Sequence, residues 1–85
     1  MNITEVRIRR FSGDSKIRAF ASVTIDDALV VHDIKVIEGR NGLFVAMPNK
    51  KVGEKYIDIS HPITGQSRSL LFDAVLNEYS QLAIG

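Results

Sequence analysis

VVHDIKVIEGRNGLFVAMP, residues 30–48, decides the fold of this 85-residue chain. It holds two apolar runs, a Gly39-Arg40-Asn41-Gly42 turn between them, and Pro48 as a stop. Residues 29–37 are β-branched and nearly continuously apolar, which predicts a central strand. Residues 38–42 predict a turn, because Gly39 and Gly42 accept positive φ and Asn-Gly favours hairpins. Residues 43–47 predict a fourth strand, with Leu43, Val45 and Met47 on one face. Pro48 ends it, since proline cannot donate to a ladder.

Two alternating runs lie upstream. In residues 2–11, Thr4, Val6 and Ile8 fall on one face and Glu5, Arg7 and Arg9 on the other. In residues 16–26, Ile17, Ala19, Ala21, Val23 and Ile25 share a face, opposite Lys16, Arg18, Phe20, Ser22 and Thr24. Period two predicts half-buried strands, and the Ser12–Ser15 turn cluster joins them as a long β-hairpin. Asp26-Asp27 predicts a turn of solvated carboxylates.

Downstream, residues 49–55 read as a basic loop. Residues 56–60 predict a short fifth strand with Ile57 and Ile59 facing in. His61-Pro62 redirects the chain, and Thr64 is placed as an N-cap. From Gln66 to about Leu82 the pattern is helical. Leu71, Val75, Tyr79 and Leu82 form its stripe, widened by Leu70 and Ala74. The fold class is therefore α+β: a small antiparallel sheet with one C-terminal helix, in a single domain over residues 1–85.

A chain of this length buries about 60–65% of its unfolded surface. It has no cysteine, so disulfides and thiolate zinc sites are excluded as reinforcement. Five strands make a sheet roughly 24 Å wide, whereas one helix covers about 10–12 Å of it. About half of one face is left over, which predicts a homodimer. Its contacts would come from the third and fourth strands pairing across subunits, or from the long hairpin reaching over the partner. No apolar run approaches the roughly 18 residues of a membrane span. The opening MNITEVRIRR has no apolar signal-peptide segment, and the chain reads as cytoplasmic.

The net charge is +1, but it is blocked out along the chain. Residues 1–18 carry +3, residues 19–49 carry −2, residues 50–55 carry +2 and residues 56–85 carry −2. Arg7, Arg9, Lys16 and Arg18 read as a basic sheet face, either a solubilising surface or an accessory phosphate contact. Lys50, Lys51 and Lys55 form the densest basic cluster on a loop. Its plain reading is a solvated surface; its functional reading is salt-dependent contact with backbone phosphate. Arg68 is the only basic residue of the last 30 positions. It stands near a helix N-terminus, where a cation opposes the macrodipole but, with backbone N–H groups, suits phosphate.

Catalytic chemistry finds little support. His32 and His61 have no ligand spacing, and His32 and Asp33 are strand neighbours that point to opposite faces. No nucleophile elbow or phosphate-cradling glycine loop is present. The aromatics are dispersed and give no evident stacking platform. No catalytic residue, metal, cofactor or small-molecule substrate is expected.

Residues 30–48, with DISHPI at 58–63 and DAVLNEY at 73–79, resemble the bacterial stage V sporulation protein G family, also called the septation protein family. VRIRR at 6–10 and the strand of residues 17–26 extend the resemblance over essentially the whole chain. The resemblance implies a dimer built on a small antiparallel sheet and a C-terminal helix. It implies a regulator linked to septation, cell division and sporulation that prefers certain DNA sites and also binds RNA. It places the nucleic-acid contacts at the head of the last helix, here Gln66, Ser67, Arg68 and Ser69. Members often carry a second basic residue near the one matching Arg68, and Ser69 and Leu70 supply none. The expected protein is a dimeric nucleic-acid-binding regulator in which Lys50, Lys51 and Lys55 add phosphate contacts. The alternative is a protein-interaction module acting on the septation machinery.

Overall fold

A computed structural model describes residues 1–13 and 15–84. Asp14, part of the turn expected at Ser12–Ser15, lies outside the described residues. The elements are β1 (Ile3–Arg10), β2 (Ile17–Ile25), β3 (Leu29–Gly39), β4 (Gly42–Ala46), β5 (Asn49–Val52), β6 (Lys55–Asp58) and α1 (Gly65–Ile84). The first four strands form one antiparallel sheet in the order β1-β2-β3-β4. β3 is interior, as its continuous apolar run requires. The fold is α+β, with α1 packed across one face of the sheet.

The core follows the period-two pattern. Ala19, Ala21 and Val23 of β2, Ile34 and Val36 of β3, and Val45 of β4 turn to the helix side. There they meet Met47, Leu71 and Val75. The small side chains of Ala19 and Ala21 leave room for α1 above the middle of the sheet. Leu71 and Val75 are buried as expected, and Tyr79 packs beside them. Leu70 and Leu82, expected in the stripe, are exposed instead, and Phe72 and Leu76 pack in their place. The buried arc is thus rotated by about one residue toward the β4 end of the sheet.

Three register shifts alter which side chains share a face. One lies between Ile3 and Glu5, where Thr4 is the extra residue of β1. Ile3 then packs against the core in its place. The Thr4 hydroxyl donates to the Thr24 carbonyl and accepts the Asp27 N–H at 3.1 Å. A second shift makes Arg18 extra in β2, so Ile17 pairs with Ile37 and leaves the core face. In the third, His32 and Asp33 together oppose Ser22, and Asp33 takes φ 62°. Such bulges bend a strand and re-aim side chains.

The turns use residues that tolerate the left-handed region. Asp26 and Asp27 have φ 54° and 50°, which short polar side chains accept more readily than bulky ones. These exposed aspartates do more than solvate a turn. The Asn2 N–H donates to Asp26 Oδ1 at 3.1 Å, and the Asp26 N–H donates to the Asn2 carbonyl at 2.7 Å. At the β3–β4 turn, Arg40 and Asn41 occupy the loop and Gly42, at φ 119°, closes it.

The greatest departure from expectation follows Pro48. Residues 49–55 are not a loop. β5 and β6 form a separate two-stranded hairpin turning at Gly53 (φ 65°) and Glu54, so the described residues hold six strands in two sheets. A glycine with positive φ opening a two-residue turn suits hairpin twist. The expected fifth strand therefore does not extend the main sheet. Ile57 and Ile59, expected to face in, are 49% and 65% exposed. The hairpin is fastened at its root, where the Ile59 N–H donates to the buried Pro48 carbonyl at 2.7 Å.

Candidate nucleic-acid interface

Antiparallel pairing sorts the three lysines. Lys50 lies opposite Ile57 and Val52 opposite Lys55, so Lys50 and Lys55 share one face of the hairpin. Lys51 lies opposite Tyr56, and Asn49 opposite Asp58, on the other face. The basic cluster of the sequence is thus divided between two surfaces, all of it exposed.

The head of α1 is built by its cap. The Ser67 N–H donates to Thr64 Oγ1 at 3.0 Å, and the Arg68 N–H donates to the Thr64 carbonyl at 3.0 Å. The Thr64 N–H reaches back to Ser67 Oγ at 3.4 Å, and the two hydroxyls are 2.7 Å apart. This is a capping box with serine in place of the usual Glu or Gln. Ser67, a candidate contact, has its hydroxyl and N–H committed to the cap. Gln66 and Ser69 are exposed. No acidic residue stands in the first turn of α1, so no carboxylate of that turn offsets its positive end.

The Arg68 guanidinium lies 5.9 Å from the centre of the Phe72 ring, one turn on. It lines a depression of about 170 Å³ with Phe72, Asp58, His61, Pro62 and the end of β4. Asp58 belongs to the hairpin face that carries Lys51. Lys51 thus shares a hairpin face with Asp58, which borders the Arg68 depression, while Lys50 and Lys55 are on the other face. Gln66 borders a different hollow, shared with Met1, Ile63 and Leu70. Among the described residues the ion pairs are Arg7–Glu5 and Arg18–Glu38, and neither engages Arg68 or a hairpin lysine.

His32 and His61 do not converge on common chemistry. His32 Nδ1 is 2.9 Å from Ser22 Oγ on the sheet face away from α1, and His61 sits beside the helix head. Among the described residues no three His, Asp or Glu side chains gather as a metal would require. Among the described residues no helix is long and apolar enough to cross a membrane.

The SpoVG family model matches residues 1–81 of this chain. A septation protein SpoVG of Alkaliphilus oremlandii is 52% identical over 84 residues, covering 98% of this chain and 90% of the relative. The Bacillus subtilis protein of that name is 53% identical over 83 residues, covering 96% and 86%. The Clostridioides difficile one is 51% identical over 85 residues, covering 99% and 92%. A family match over residues 1–81 and identity above 50% over nearly the whole chain make the chain a member of the SpoVG family of septation proteins.

Proposed function

We propose that this protein is a cytoplasmic, homodimeric regulator that binds DNA and RNA and through them affects septum formation and gene expression. The observation that carries the reading is the helix head. An arginine stands at the positive end of a helix with no first-turn carboxylate, beside a hairpin face bearing Lys51. A guanidinium at a helix N-terminus, with an ammonium on the hairpin face that also carries Asp58, is a combination that can take phosphate. Lys50 and Lys55, on the far face of the hairpin, contribute long-range attraction rather than contact in the same footprint. Nothing in this chemistry calls for catalysis or a cofactor.

Binding measured against salt tests the assignment. The slope of log K on log salt should fall in magnitude by about 0.7–0.9 for Lys51→Ala, on single-stranded and duplex targets respectively. Lys50→Ala should shift it less. A slope unmoved by Lys51→Ala would remove the hairpin from the interface.

The dimer rests on exposed apolar surface. Ile59 and Ile63, between the hairpin and α1, are 65% and 86% exposed, and on the hairpin Tyr56 is exposed on one face and Val52 and Ile57 on the other. β4 is an unpaired sheet edge beside them. An open edge next to bare isoleucines is a surface that natural proteins cover. A second copy supplies both an edge strand and matching apolar side chains, and doubles the helix heads available for avid binding. Sedimentation should give a dimer at micromolar concentration, and a strict monomer would refute this arrangement. The same isoleucines favour one competing reading, a module that docks on the septation machinery. Capture of a division protein that survives nuclease, with no nucleic-acid binding, would select that reading instead.

A further inference from the structure

The main sheet has a second face, opposite α1, that the helix-head interface does not use. Register lays its side chains out in rows across the strands. Arg9, Phe20 and Lys35 form one row, from β1, β2 and β3. Arg7 and Ser22 form the next, completed by His32, whose Nδ1 is 2.9 Å from Ser22 Oγ. Neighbouring rows on one face are about 7 Å apart along a strand.

The first row is an aromatic ring flanked by two cations. The Arg9 guanidinium sits 5.6 Å from the Phe20 ring centre, and Phe11 meets Phe20 edge-on at 5.6 Å. Phe11 and Phe20 come together only because the β1–β2 pairing folds the chain back. The second row joins a guanidinium, a hydroxyl and an imidazole, all hydrogen-bonding groups. The bulge at His32-Asp33 maintains this row, with Asp33 held at φ 62°. Backbone strain of this kind persists where surrounding structure enforces it, and it gathers at functional sites. Apart from Lys35, the two rows line one hollow of about 650 Å³, which also takes in Asp33. A second hollow continues it past Arg7 and His32 toward Val30.

We propose that this open face binds an unpaired stretch of single-stranded nucleic acid. One base stacks on Phe20 beside Arg9, and the adjoining phosphate is received by Arg7, with Ser22 and His32 available to the sugar or base edge. Charge and shape both favour this occupant. The two rows carry Arg7, Arg9 and Lys35, three cations against Asp33 at the bulge and Glu5, which pairs with Arg7 at 3.2 Å on the exposed surface. A flat aromatic between cations accepts any base, whereas a paired duplex hides its base faces in its own stack. The ligand class rests on the nucleic-acid reading above, but the surface is separate from the helix head, so the open face can fail while the helix head stands.

The test is fluorescence anisotropy with a labelled oligo(U), oligo(dT) and a mixed-sequence duplex at two salt concentrations. Wild type is compared with Phe20→Leu, Arg9→Gln and the Lys51→Ala/Arg68→Ala double variant. Loss of one stacked base should weaken single-strand binding by about 5- to 100-fold in Phe20→Leu, with duplex binding changed less than about twofold. Arg9→Gln, an exposed change that leaves the core untouched, should weaken single-strand binding in the same direction. The double variant should instead lose duplex binding. If Phe20→Leu and Arg9→Gln both leave single-strand affinity unchanged while wild type binds, the open face is not a site and the helix-head reading stands. If wild type binds neither form, both readings fall together.

Discussion

Ile34→Ala is expected to lower stability by about 2–5 kcal/mol, read as the urea midpoint at constant slope. Ile34 is fully buried at the centre of β3, paired with Ala21 of β2 and enclosed in the cluster that includes Leu71 and Val75. Removing its outer carbons leaves a cavity that neither the sheet ladder nor α1 can close without shifting. A chain of this length has roughly 4–13 kcal/mol to lose. One substitution thus takes a large share, and the melting temperature should fall by about 10–35 °C. Ile59→Ala removes the same atoms from a residue that is 65% exposed. It should leave the monomer's stability within about 0.5 kcal/mol while weakening self-association. Equal losses from both substitutions would mean that the hairpin packs on the body far more closely than described.

That pair of isoleucines also marks where sequence reading works on this chain and where it stops. Ile34 lies in a long β-branched run bounded by turn residues, and such a run has few places to go except the middle of a sheet. Ile59 lies in a short segment whose apolar spacing would suit a buried strand equally well. What decides against burial is the pairing of β5 with β6. Asn49, Lys50 and Lys51 give no alternation by which to detect it, and Val52-Gly53-Glu54-Lys55 carries only a modest turn signal. Bulges are the second gap. Thr4, Arg18 and Asp33 each insert one residue into a ladder, and each insertion moves the residues beyond it to the other face. Period-two reading placed Ile17 in the core for that reason.

The candidate site divides in the same way. Thr64 as N-cap and Arg68 near the helix start follow from local chemistry, and the structure has both where the pattern puts them. The partition of Lys51 from Lys50 and Lys55 depends on a strand register that the sequence does not announce. The commitment of Ser67 to the cap follows from the Thr-x-x-Ser spacing only once the cap is fixed. The Phe11–Phe20 contact joins residues that are far apart along the chain and close only across the hairpin.

Gln66→Glu is expected to make the fold more stable and nucleic-acid binding weaker. A carboxylate in the first turn of α1 would meet the positive end of a helix that has none there. It should add about 0.3–1 kcal/mol and raise the melting temperature by about 1–8 °C. The same charge would repel phosphate, with a loss of affinity of about fivefold or more at low salt. Arg68→Ala separates the two effects differently. Losing the contact with Phe72 costs about 0.5–1 kcal/mol, and losing a cation near the helix N-terminus returns about 0.3–1 kcal/mol. Stability should therefore change by less than about 1 kcal/mol. A charge-assisted hydrogen bond to phosphate is worth about 1.5–3 kcal/mol, so affinity should fall by about 10- to 100-fold. Thermal melts and binding isotherms on the same samples check both variants. A Gln66→Glu protein that melts higher yet binds DNA and RNA as tightly as wild type would show that phosphate does not approach the helix head. A Gln66→Glu protein that melts lower than wild type would instead show that the first turn of α1 gains nothing from an added carboxylate.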